Sequence, residues 1–230
     1  SGQIIDKGLL VFFYYSVYHE LYKRKRPNFD EAFGYYGLEF DGSVFGGLAS
    51  KAAGREDEFG ITLNQTIFQA FVDARRAMKQ NTEGADDQIS ADNQTYKQAW
   101  KTIDRQMLRT LGYYAIHEVN EFNEAPAVKL LEARIIWDGV DAYAENAAPE
   151  LAESIRQNLY PGGVPERSAD DYYLKRLSAV ESGETEIDTG ALRNDMGAVM
   201  ETLEEGCLIS SSASPGHATG RGAASTARTV

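Results

Sequence analysis

The chain has 230 residues, 43% of them apolar, which is enough to bury a sizeable core. Its 23 Lys and Arg against 35 Asp and Glu give a formal charge of −12, which repels polyanions at long range. A single cysteine, Cys207, excludes an internal disulfide framework, argues against a cysteine-ligated zinc site, and favours a reducing, cytoplasmic setting.

Residues 1–48 carry 12 of the chain's 25 aromatic side chains. Leu10, Phe13, Val17 and Leu21 recur at spacings of three and four, which predicts a helix, although so aromatic and β-branched a run also suits a strand. Pro27 predicts a break. Beyond it, glycines at 34, 37, 42, 46 and 47 separate Phe and Tyr anchors, so residues 34–47 read as irregular chain. The run from Leu9 to Tyr15 is shorter than the ~18–20 apolar residues of a membrane span. No cationic segment precedes it and no small-residue cleavage site follows, so neither a span nor a secretory leader is expected.

Residues 49–206 read as helices throughout. Leu63, Ile67, Phe71, Ala74 and Met78 predict a helix from about Thr62 to Asn81. Asp92 is the expected N-cap of a long helix carrying Tyr96, Trp100, Ile103, Met107, Leu111 and Tyr114, with Gly112 as a kink or a point of close approach. Residues 126–146 show two apolar stripes after Pro126 and are the expected centre of the core. Pro149 opens a helix through Leu159. Ser168, Asp170 and Asp171 signal another, carrying Tyr173, Leu174, Leu177 and Val180. A last helix spans about 189–205, with Gly206 as its expected stop. From 208 onward Ser, Ala, Gly and Thr dominate with two arginines and no acid, a composition expected to stay disordered. The fold class is therefore all-α: one multi-helix core domain at 49–206 between an irregular aromatic N-terminal arm, 1–48, and a flexible C-terminal tail, 207–230.

Chemistry-bearing motifs are few. His117 and Glu121, four apart around Glu118, share a helix face and could present two metal ligands, but no second histidine completes a zincin pattern. No nucleophile motif, phosphate loop or dinucleotide fingerprint is present, so no catalytic residue, metal or cofactor is assigned. Lys23, Arg24, Lys25 and Arg26 form a basic cluster after Tyr18 and Tyr22. Arg75 and Arg76, with Lys79, form a second one on the polar side of their helix. Contact with a nucleic-acid backbone would need a groove lined by these cations and screened from the acidic surface.

The aromatic arm is the feature least like ordinary core. Each large ring contributes on the order of 1.5–3 kcal/mol when buried. Phe12, Phe13, Tyr14, Phe33, Tyr35, Tyr36, Phe40 and Phe45 therefore either fold back on their own domain or dock on a second copy. Arm, helical core and low-complexity tail together resemble, in plan alone, the coat or nucleocapsid subunits of filamentous RNA viruses. The expectation is a non-catalytic structural subunit that forms homo-oligomers through its arm and contacts nucleic acid locally against its net charge. Two alternatives come from other classes. One is a helical enzyme or metal protein using His117, Glu118 and Glu121. The other is an adaptor binding a protein through its acidic surface, for which the run from Glu181 to Glu205, eight acids against one arginine, is the natural candidate.

Overall fold

The computed structural model describes residues 2–81, 88–160 and 177–211, and among these the fold is all-α. In chain order the helices are α1 (Gly2–Lys23), α2 (Arg26–Tyr36), α3 (Gly47–Phe59), α4 (Asn64–Asn81), α5 (Gln94–Asn120), α6 (Pro126–Trp137), α7 (Asp141–Ala147), α8 (Pro149–Leu159) and α9 (Thr189–Ser211). Residues 177–181 are also helical, and Leu177 and Val180 are buried, while the rest of the helix expected from Ser168 lies outside the described residues. The two β-bridges, Lys25 with Gln88 and Leu38 with Val44, are isolated.

The centre of the core is α5, not residues 126–146. Ile103, Met107, Leu111 and Ala115 step along it at four-residue intervals with no solvent exposure, and α1, α3, α4, α6 and α9 all pack on it. Asn93, one residue past the expected cap, accepts a hydrogen bond from the Tyr96 N–H at 2.9 Å. α5 runs unbroken through Gly112, which makes room for the side chain of Met200 of α9. The expected helix over 126–146 is two, α6 and α7, broken around Gly139, where a β-carbon would lie a tight 3.0 Å from the Leu111 side chain of α5. At the far end, α9 runs through Gly206 to Ser211, and the remainder of the expected tail lies outside the described residues.

The largest departure from the sequence-based expectation is at the front of the chain. The helix predicted over Leu10 to Leu21 forms as α1, but the zone packs into the core rather than standing off as an arm. A second helix, α2, extends to Tyr36, and the expected irregular stretch is confined to residues 37–46. Leu10, Tyr14, Val17 and Leu21 face inward from α1, with Tyr14 rather than Phe13 completing the line. Their core cluster includes Leu203 at the other end of the chain. Polar partners make this burial possible for the tyrosines. The Tyr14 hydroxyl donates to Asp104 at 2.9 Å and that of Tyr36 to Asn64 at 2.6 Å. The break between α1 and α2 falls at Arg24 and Lys25, ahead of Pro27, which sits in the first turn of α2 where its missing N–H leaves no gap. Arg24 turns the chain with φ of 59°, and its carbonyl accepts the Ile89 N–H at 3.0 Å.

Loop 37–46 is pinned at its neck. Gly37 has φ of 97°, and a β-carbon there would lie 2.1 Å from the Gly46 carbonyl oxygen. The Phe45 N–H closes the neck by donating to the Gly37 carbonyl at 2.9 Å. The start of α4 is capped from α3: the Glu56 carboxylate accepts the N–H groups of Leu63 and Asn64 at 2.5 and 2.7 Å.

Candidate functional site

Aromatic packing between α2 and α4 builds the site. Phe29 and Phe33 set their rings against Phe71 edge-on, with centroids 5.5 and 5.1 Å apart. This contact draws the start of α2 alongside the outer face of α4. Arg26 thereby joins Arg75, Arg76 and Lys79 around one cleft of about 630 Å³ with an apolar floor of Phe29, Val72 and Met78. One residue of the first basic patch of the sequence meets the second patch here, some fifty residues further along the chain.

Of the first patch, only Arg26 lines this cleft. Lys23 is held by Glu20 at 2.7 Å, and the backbone of Lys23, Arg24 and Lys25 is tied to residues 88 and 89. Within the cleft Arg75 lies 3.6 Å from Asp30, and beside it Arg76 lies 3.2 Å from Asp73. All four side chains are well exposed, so these pairs are weak and an incoming anion can displace the carboxylates.

The eight aromatic residues expected to drive self-association divide. Tyr14, Phe33 and Tyr36 are buried in the chain's own core and are not available to a second copy; Phe13 is half-buried against that core. Their inward faces are fixed by the helical periodicity of α1 and α2, which the glycine-rich composition masks. Phe12, Tyr35, Phe40 and Phe45 stand exposed, Phe12 at 57% and Phe45 at 78%. The exposed apolar surface of α1 extends beyond the residues expected to drive self-association. Ile5, Leu9, Tyr15 and Tyr22 are exposed with Phe12 on the half of α1 that faces away from the core. An apolar helix face of this kind marks a contact surface more often than isolated surface residues do.

His117, Glu118 and Glu121 lie together, but in a layer of paired charges. His117 stands 3.0 Å from Glu58 and 3.4 Å from Glu121, on the shared face that their spacing predicts. Glu118 points the other way, between Lys7 at 2.6 Å and Lys129 at 2.9 Å, and Lys129 also meets Glu121. The Tyr114 hydroxyl accepts from Lys7 at 2.7 Å. Burial opposes the charge on Glu118, but hydrogen bonds with Glu132, Lys7 and Lys129 outweigh it and hold the carboxyl below its ordinary range. Burial likewise opposes the Lys7 charge, and its bonds to Glu118 and Tyr114 hold the ammonium above its usual value. Glu132, inside the same layer, is pushed up by burial and by Glu118. Among the described residues no three His, Cys, Asp or Glu side chains are placed to hold an ion. The sequence carries no sign of this layer, because Lys7 meets Glu118 across 111 positions.

Several of the acids between Glu181 and Glu205 serve the chain itself, among them Asp188, which accepts the Ala191 N–H at 2.8 Å, and Asp195, which accepts from the Ser154 hydroxyl at 2.6 Å. Glu181 accepts the Ala127 N–H at the start of α6 at 3.0 Å, and Glu204 lies 3.2 Å from the buried Arg109. Among the described residues no helix is long and apolar enough to cross a membrane. No family model, no curated protein and no solved structure matches this chain.

Proposed function

We propose that the protein is a non-catalytic structural subunit, capsid- or nucleocapsid-like, that self-associates through the apolar face of α1 and holds a nucleic-acid backbone in the cleft between α2 and α4. One observation carries the reading: cations from two distant segments, Arg26 on one side and Arg75, Arg76 and Lys79 on the other, line a single cleft in a protein of charge −12. Dispersed surface lysines would be neutralised by such an acidic surround. Four cations against the two carboxylates beside them, Asp30 and Asp73, leave a local excess of positive charge that acts within about 8–10 Å at physiological salt, the range over which phosphates are felt.

Arg76 and Lys79 are the residues to change, because both are exposed and neither contributes to the core. The measurement is fluorescence anisotropy of a labelled single-stranded oligonucleotide over a range of salt concentrations. Replacing both by alanine is expected to weaken binding at every sequence and to flatten the dependence of log affinity on log salt by about 0.7 for each phosphate that is no longer neutralised. An unchanged salt slope removes the cleft from the proposal.

A further inference from the structure

Beside the cleft, and sharing Phe29, Val72 and Arg75 with it, lies a small aromatic pocket of about 150 Å³ completed by Phe33, Phe40, Phe68 and Phe71. Six of its seven lining side chains are apolar, and the seventh is the cleft arginine Arg75. Four of its five phenylalanines are fixed by helices α2 and α4. The fifth, Phe40, is delivered by loop 37–46, in which the Gly42 N–H donates to the Glu39 carbonyl at 2.9 Å and closes a tight turn around Phe40. Phe40 stacks on Phe33 with centroids 5.5 Å apart and planes 16° from parallel, yet 73% of it remains open to solvent. The Arg75 guanidinium stands 5.4 Å from the same ring. An exposed phenylalanine stacked on Phe33, with an arginine over its ring, offers a flat apolar surface next to a cation.

We propose, building on the cleft reading above, that this platform receives an unpaired base, so that the ligand is single-stranded nucleic acid whose phosphates run along Arg26, Arg76 and Lys79 while one base stacks against Phe40. The charge of the rim selects a polyanion, and the apolar pocket selects a flat ring on that polyanion. These two features meet in Arg75, which faces both. A duplex keeps its bases stacked on one another and cannot offer a face to Phe40, so it gains from the cleft alone. Stacking of a base on an aromatic side chain tolerates any sequence, because every base has a π-face.

The test separates the platform from the cleft. Binding of oligothymidylate is compared with that of an abasic sugar–phosphate oligomer of the same length, for the full chain and for Phe40→Ala, which removes a mostly exposed side chain. The expected result is that oligothymidylate binds about tenfold more tightly than the abasic oligomer, in keeping with one stacked base. Phe40→Ala should erase that difference and leave the salt slope unchanged. If the two oligomers bind equally well to the unaltered chain, the platform is overturned while the cleft stands. If neither binds, the cleft reading fails and the platform falls with it.

Discussion

At Gly112 the contact between α5 and α9 is so close that a β-carbon would lie 2.1 Å from the Met200 sulfur. Met200 is fully enclosed, so its flexible chain has nowhere to swing. Gly112→Ala is therefore expected to destabilise the fold by about 1–3 kcal/mol, the usual penalty for overpacking, as read from urea unfolding. Glu132 gives a prediction of another kind. Burial and the adjoining Glu118 move its carboxyl from the ordinary 4.5 up to about 7. In the unfolded chain the group loses its proton near 4.5, whereas the folded protein keeps it. Its contribution is thus complete below 4.5 and declines as the pH climbs through about 7. Glu118 is held low and exerts its opposite effect only in acid below that window. Glu132→Gln retains a neutral donor, so its unfolding midpoint should be flatter than the parent's between pH 4.5 and 7.

At the scale of the element, legibility followed contrast. α4 and α8 set an apolar stripe on a polar background, and their rhythm locates them to within two residues. α1 lacks that contrast because Ile5, Leu9, Phe12 and Tyr15 on its outer half are as apolar as Leu10, Tyr14, Val17 and Leu21 on its inner half. A helix apolar all round gives no phase, so its burial could not be read in advance. α3 is faint for the opposite reason: of its buried residues Leu48, Ala49 and Ala52, only the first is large, and one leucine with two alanines marks no stripe. The cleft was legible only as two separate patches, since what joins them is the tertiary contact of Phe29 and Phe33 with Phe71. Leu21, fully buried in α1, tests whether the front of the chain belongs to the same cooperative unit. Leu21→Ala is expected to lower the stability of the whole protein by about 2–5 kcal/mol in one unfolding transition. A separate early transition for the first two helices would contradict that packing.

For the whole molecule, the outer face of α1 and the cleft between α2 and α4 are made by different residues, so the proposed association and the proposed nucleic-acid binding can be tested separately. Truncation of residues 1–48 would remove part of the core along with the apolar face, and exposed side chains are the proper targets. Leu9→Ser combined with Phe12→Ser takes away two large side chains that point to solvent. Light scattering over a range of concentrations should show a mass that grows with concentration for the parent and stays at that of a single chain for the double variant. A parent that remains at 25.4 kDa throughout would remove self-association through α1. Salt should act in opposite directions on the two activities, weakening the ionic cleft and favouring the apolar contact.

The placement of Lys7 reaches beyond the charged layer it completes. With Lys129 it balances Glu118, Glu121 and Glu132, and it sits within two turns of the start of α1. Trimming the chain past position 7, as a fusion cut or a stray protease might, would leave three acids facing a lone ammonium group. A shortened molecule of that kind would hold together best in mildly acidic buffer and loosen toward neutrality, so where the front end is cut decides the pH at which the protein can be kept intact.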